Sequence, residues 1–180
     1  MTARIKWTDR TFNFDFPAGI YPEVLERFRG TPARLEDHLA LLPRELLTCR
    51  ADNRWSMQEN AGHLLDLESL VQQRVNEYIA GQKELHAADM SNRKTYDAHH
   101  NDVEVELILE AFRRTRGQTV AQLLDLDGEV FARSALHPRL NKQMRLVDML
   151  YFQAEHDDYH LARISELKHE LAKTDSLEPT

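Results

Sequence analysis

A single cysteine, Cys49, occurs in the whole chain of 180 residues. One thiol excludes an intrachain disulfide framework and a thiolate-rich zinc site. Cys49 is also a poor candidate nucleophile, since it follows Leu46-Leu47-Thr48 at what reads as a helix end. Glycine and proline are scarce, six of each, while Leu, Glu, Ala and Arg are plentiful, and that balance points to an all-α fold. No stretch approaches the roughly 18 apolar residues of a membrane-spanning helix. The first residues, MTARIKWTDRTF, contain no apolar run of the signal-peptide kind, so a cytoplasmic location is expected. Basic charge is short as well: 23 Lys and Arg stand against 30 Asp and Glu, for a net charge of −7 and a pI near 5.7. That is the wrong sign for non-specific binding to nucleic acid or to an anionic membrane. The one dense basic cluster, Arg113, Arg114 and Arg116, directly follows Glu104, Glu106 and Glu110 and reads as a solvated helix face.

What is present fits one soluble globular domain, with 42% hydrophobic and 29% charged residues. Residues 1–21 read as an irregular lead-in in which Phe12, Phe14 and Phe16 alternate, residues 22–172 as a helical bundle, and residues 173–180 as a frayed tail. Pro22 to Arg29 looks like a short helix ended by Gly30, and Thr31-Pro32 then starts another, with Thr31 as N-cap. Leu35, Leu39 and Leu42 mark the inner face of that helix, which Pro43 ends or restarts. Asp52-Asn53-Arg54 is a turn, and Ser56 with Glu59 three residues later forms a capping box. The helix opened there runs to about Ala80, with Gly81 as C-cap and Met57, Ala61, Leu64, Leu67, Val71, Val75 and Tyr78 as its apolar stripe. Residues 82–101 are polar and patternless, a long connection of the kind that serves a site or moves. A further helix is expected from near Asp102 to Leu126, with Val105, Ile108, Phe112, Thr119 and Leu123 inward. Residues 129–144, with His137-Pro138, read as an irregular crossing, and a last helix spans roughly 145–172. Four long helices with unequal connections favour a four-helix bundle.

In that last helix Met149, Phe152, His156, His160, Ile164, Leu167 and Leu171 recur in steps of three or four. Two imidazoles therefore fall on the inward stripe. A pair four apart can grip one divalent ion, because side chains at i and i+4 are neighbours. The same pair could equally be two core histidines satisfied by hydrogen bonds, four ring nitrogens needing partners. His63, in the second helix, lies at the shoulder of the apolar stripe, and periodicity alone makes it half-exposed.

Trp55-Ser56, Glu59, Gly62-His63-Leu64 and Asp66 resemble the second-helix signature of the DinB-like superfamily. Glu155-His156-Asp157 with His160-Leu161 and Ile164 is similar to its last-helix signature, and His137-Pro138 resembles the YfiT-type branch of metal-dependent hydrolases and thiol S-transferases. The resemblance covers roughly residues 22–170. It implies a four-helix bundle with a divalent metal at one end, held by His63, His156 and His160. It also implies either hydrolysis or transfer of a low-molecular-weight thiol acting on a small molecule. On general grounds zinc suits an open three-histidine site best, and nickel also accepts imidazole. A homodimer is expected on any of these readings, because bundles readily use a helix face for it. Members often carry a further histidine just before the last ligand, where this chain has Tyr159.

Glu59 and Asp66, on the same side of the second helix as His63, and Asp157, beside His156, are candidates to orient the rings; the alternative is a cap for Glu59 and a solvated carboxylate for Asp66 and Asp157. Glu68 falls inside the stripe and reads either as an acid–base group in the pocket or as an edge carboxylate paired with an arginine. Tyr96, His99 and His100 lie in the long connection, with no fixed direction. Besides the metal-dependent enzyme, a second class stays open: a non-catalytic, dimeric helical binding module with a residual or structural metal site.

Overall fold

A proline at the second position opens each of two nine-residue helices, α1 (Tyr21–Arg29) and α2 (Thr31–Leu39), where its missing N–H leaves nothing unsatisfied. These two form the first arm of the bundle. The computed structural model describes residues 4–51 and 54–175, with side chains through Leu171. A one-turn-and-a-half helix, α3 (Arg44–Thr48), follows Pro43, and the expected turn at Asp52-Asn53 lies outside the described residues. The second arm is α4 (Met57–Ile79), whose Ser56–Glu59 capping box is present in both directions. It ends at Gly81, the left-handed residue (φ +69°) that lets Gln82 N–H reach the Glu77 carbonyl and Gly81 N–H the Tyr78 carbonyl. After the short α5 (Arg93–Asp97) come the third arm, α6 (Val105–Leu124), and the fourth, α7 (Leu146–Asp175). No described helix is long and apolar enough to cross a membrane.

Two expectations for the connections are corrected. Residues 134–145 form a hairpin, β1 (Ser134–His137) against β2 (Lys142–Arg145), antiparallel in the register Ser134↔Arg145 to His137↔Lys142. Four-residue strands with only Ala135, His137 and Met144 turned inward leave too little alternation to read. The hairpin is anchored by tertiary bonds: Tyr78 Oη donates to the Met144 carbonyl at 2.8 Å, and Leu85 and Leu136 N–H groups tie it to residues 83–85. The 82–101 connection is likewise ordered around α5 and a short turn at His100–Asp102. Thr31 is not an N-cap. It is the first residue of α2, and its hydroxyl donates to the Asp157 carboxylate at 2.8 Å. Phe12, Phe14 and Phe16 pack, partly buried, on the bundle. The last helix runs on to Asp175, and residues 176–180 lie outside the described ones.

The apolar core is cut in two. One cluster joins Phe28, Val71, Val75 and Tyr78 to Leu146, Val147, Met149 and Leu150. The other joins Leu35, Leu39, Met57, Ala61 and Leu64 to Phe112, Ile164 and Leu167. Fully buried leucines of this kind each contribute about 1.5–3 kcal/mol. Between the clusters lies a polar layer, Asp66 and Glu68 of α4, Arg116 and Thr119 of α6, and Gln153 to His160 of α7.

Arg116 organises this layer and overturns the expectation of a solvated basic face. Arg113 and Arg114 are exposed, but Arg116 is 1% exposed. Its Nη2 donates to Glu68 at 2.7 Å, and its Nη1 donates at 2.7 Å both to Asp157 and to the Phe28 carbonyl. The Phe28 ring lies 3.7 Å below the guanidinium. One side chain thus joins α1, α4, α6 and α7. Removing one member of a buried ionic group leaves its partners uncompensated, which costs about 3–5 kcal/mol. Arg116→Ala is accordingly expected to lower stability by that amount in urea unfolding; a loss within the scatter of a surface Arg113→Ala control would show that the layer is not held this way.

Candidate metal centre

The capped start of α4 sets His63 two turns into the helix, and α7 brings His156 and His160 to face it one turn apart. The ring centroids are separated by 4.6 Å (His156–His160), 4.8 Å (His63–His160) and 5.4 Å (His63–His156). One ligating atom from each lies within 4.8 Å of the other two. All three rings are buried, His63 included, because Trp55 covers it at a centroid distance of 4.7 Å. Periodicity made His63 half-exposed, since it counts only the helix's own stripe and not a tryptophan from the preceding loop.

The free nitrogens are aimed by neighbours. His160 Nδ1 donates to Asn60 Oδ1 at 2.8 Å, so its Nε2 presents a lone pair, 3.3 Å from Nε2 of His156. His63 Nδ1 is engaged by the Thr95 hydroxyl at 3.0 Å, which leaves its Nε2 free as well. His156 is held differently: Nδ1 has no partner among the described residues, and the ring is packed edge-on against Trp7 at 4.9 Å. Burial holds all three imidazoles neutral. It pushes His63 down to about 3, helped by His156, and His156 down to about 3, helped by the charges of Arg139 and Arg116; His160 also lies well below its ordinary value. Three neutral nitrogen donors on one side of a cleft could hold one divalent ion and leave part of its shell open.

The carboxylates expected beside the rings are employed elsewhere. Glu59 closes the capping box and pairs with Arg50, and these contacts outweigh burial to keep it below the usual carboxylate range. Asp66 meets His100 Nε2 at 2.8 Å, not His63. Asp157 accepts from Arg116, Thr31 and Gln153. Glu68 is buried as the stripe suggested, but it faces Arg116 and does not line the cleft; it is neither an exposed edge group nor a pocket acid. His100 is buried against Gly62, where an added Cβ would stand 2.2 Å from its ring, while His99 and Tyr96 are exposed. Gly62 is thus required by a close approach.

Asn60 and Thr95 do what the carboxylates were expected to do. Asn60 was legible, lying three residues before His63 on the same helical face; Thr95, in the polar connection, carried no such signal. Along the bundle the rings sit in the polar layer between the two apolar clusters, not at an end. They open on a cleft of about 350 Å³ walled by Trp7, Leu67, Phe152 and Tyr159, with His137 and Arg139 at its side. Trp7 comes from the lead-in, which is part of the site's wall.

The depressed histidines link stability to pH. As pH falls below about 6.5 the unfolded chain binds protons that His63, His156 and His137 (pushed down to about 4 by burial) refuse when folded. Stability is therefore complete above the unfolded value and drains away towards pH 3–4. Urea midpoints of the metal-free protein are expected to fall steadily from pH 6.5 to pH 4, and less steeply for His156→Gln. A flat profile over that window would contradict the neutral, buried rings.

The family model of the DinB superfamily matches residues 27–164. Among solved structures, YfiT from Bacillus subtilis, described as a probable metal-dependent hydrolase with an unusual four-helix bundle topology, superposes with a TM-score of 0.78 at 17% identity, over 91% of this chain and 94% of that one. A mycothiol-dependent maleylpyruvate isomerase superposes with a TM-score of 0.65 at 10% identity, over 85% of this chain and 62% of that one. No curated protein matches the sequence. At such identities the structural likeness carries the fold alone, whereas the family match spans most of the chain. This chain belongs to the DinB superfamily and has its four-helix-bundle fold.

Proposed function

We propose that His63, His156 and His160 hold a divalent metal ion, zinc or nickel, and that the protein is a metal-dependent enzyme acting on a small molecule by thiol transfer or hydrolysis. The observation that carries this reading is the convergence of three buried, neutral imidazoles, ligand atoms within 4.8 Å of one another, on one wall of a cleft. The two superposed proteins, a probable metal-dependent hydrolase and a mycothiol-dependent isomerase, support it by analogy of fold.

Such an ion, when bound, supplies a Lewis acid that lowers the pKa of a water or thiol it takes up. The chain's own residues do the rest. Asn60 fixes the tautomer of His160 by accepting from its Nδ1–H, and Thr95, whose hydroxyl donates or accepts, orients the ring of His63. Trp55 and Trp7 flank the rings and keep bulk water away from them. Leu67 and Phe152 give the cleft an apolar floor for the body of a substrate. Among the described lining residues there is no cysteine or serine, the Thr8 hydroxyl is bonded to Asp9, and the one carboxylate, Asp89, is occupied by Ser91 and the Arg93 N–H. The nucleophile in this reading comes from outside the chain, as water or a low-molecular-weight thiol.

Metal analysis of protein purified without chelators should find about one ion per chain, lost in His63→Ala and in His160→Ala, with Asn60→Ala weakening affinity about 10- to 100-fold. A conjugation screen pairing small thiols with electrophiles, and a parallel ester-hydrolysis screen, should show turnover that chelation abolishes and metal restores. Full thermal stability after metal removal, together with no turnover in either screen, would favour the non-catalytic binding module instead.

A further inference from the structure

We propose that the cleft above the three histidines recognises a carboxylate of its ligand through Arg139 and Arg74, with His137 as a further donor. This rests on the proposed function only in placing the ligand's reacting end at the histidines, and it narrows the substrate or thiol to acidic small molecules.

Arg74, in the last third of α4, is 4% exposed and lines the cleft, yet it pairs with no carboxylate among the described residues. Its Nε and Nη2 both donate to the backbone carbonyl of His86, at 3.0 and 2.8 Å. Arg139, in the hairpin turn, is half-buried and makes no hydrogen bond or ion pair among the described residues. Its guanidinium lies over aromatic rings, 5.3 Å from Phe152 and 5.7 Å from Trp7, and Trp7 in turn packs on His156. The contrast with the other buried arginines is sharp: Arg116 and Arg163 each meet two carboxylates. Burial pulls both Arg74 and Arg139 down from the ordinary arginine value, and the charge of Arg139 adds to the effect on Arg74. Tyr78 and Glu77 offset part of that at Arg74, but neither forms an ion pair with it among the described residues, so two like charges share one partly dehydrated wall.

His137 adds a third group. Its Nδ1 accepts the Leu140 N–H at 3.3 Å, so the neutral ring carries its proton on Nε2. That nitrogen is buried, in a side chain 2% exposed, and has no partner among the described residues. A buried donor left unpaired costs about 1–3 kcal/mol. Two uncompensated guanidiniums and an orphaned N–H, gathered on the wall of one cleft, form a cradle for a compact oxyanion. The side chains lining the cleft carry Lys6, Arg74 and Arg139 against Asp89 alone, in a chain whose net charge is −7. The positive character continues into the adjoining hollow lined by Arg4, Lys6, Arg50, Arg54 and Arg163 against Glu166, so this side of the molecule is basic within an acidic chain. A planar carboxylate matches the guanidinium fork, and a floor of Leu67 and Phe152 suits the short carbon chain behind it.

The test uses the full-length chain with metal removed, so that a carboxylate has no ion to bind directly. Glutarate and its uncharged counterpart glutaramide are titrated and followed by NMR at the indole signals of the two tryptophans. Glutarate is expected to bind at least about tenfold more tightly than the diamide, as charge-assisted pairing demands, and Arg139→Gln should erase that preference. Arg74→Lys, which keeps charge but loses the fork, should weaken glutarate binding and leave glutaramide unchanged. Matching melting temperatures for Arg139→Gln and the natural chain establish that the variant is folded, and Arg113→Gln on the surface serves as the charge control. Equal binding of the two probes, no binding of glutarate, or glutarate binding untouched by Arg139→Gln would each overturn the proposal. Because no metal enters this measurement, its failure leaves the metal and turnover assays standing, and theirs leaves it standing.

Discussion

One guanidinium holds the bundle's waist. Arg116 reaches from α6 to a carboxylate on each of the two helices that carry the histidines, Glu68 on α4 and Asp157 on α7, and to the carbonyl that ends α1. Charges in a protein interior are stable only when paired and hydrogen-bonded. This arginine satisfies that condition only when all four helices are in register, so its pairing and the relative placement of α4 and α7 are the same fact. His63 and His156 sit within a turn or two of Glu68 and Asp157, and the distance between their rings follows from it.

The polar layer has a physical cost that the two apolar clusters offset. Glu68, Arg116, Asp157, Asp66 and His100 are buried and would be expensive alone, but each has its partners. Of the four buried side-chain atoms without a partner among the described residues, two line the cleft, Nδ1 of His156 and Nε2 of His137, and Gln58 Oε1 and Arg163 Nη2 lie outside it. Two cleft arginines, Arg74 and Arg139, add guanidiniums with no carboxylate partner among the described residues. The imidazoles face the cleft as bases too weak to hold a proton, which keeps their nitrogens available to a cation. The arginines face it as cations that no carboxylate among the described residues pairs with directly.

Much of the architecture was legible because it depends on local chemistry. The Ser56–Glu59 box, the Gly81 stop, the stripes of α4, α6 and α7 and the histidine pair one turn apart are all set by helical periodicity and capping. Even the error over Arg116 was readable in principle. The inward series Val105, Ile108, Phe112, Thr119, Leu123 takes one step of seven in the middle, and residue 116 is the position that completes it. An arginine at a stripe position announces a buried ion pair, a signal masked by Arg113 and Arg114 next to it. Leu67 illustrates the reverse: it lies on the stripe but is only half-buried, because the cleft opens there.

The main helices, the histidine pair on α7 and the general chemistry of a histidine cluster thus follow from the order of residues alone, since each rests on neighbours within a turn. The partners of the rings do not. Asn60 beat Glu59 and Asp66 because those carboxylates found Arg50 and His100, and Thr95 entered from a connection with no periodicity at all. The cationic wall belongs to the same class, joining Arg74 of α4 to Arg139 of a hairpin turn and to Trp7 of the lead-in. Charges and rings that meet across sixty or more residues are matched by packing in three dimensions, and periodicity, which sees one helix at a time, has no means to pair them.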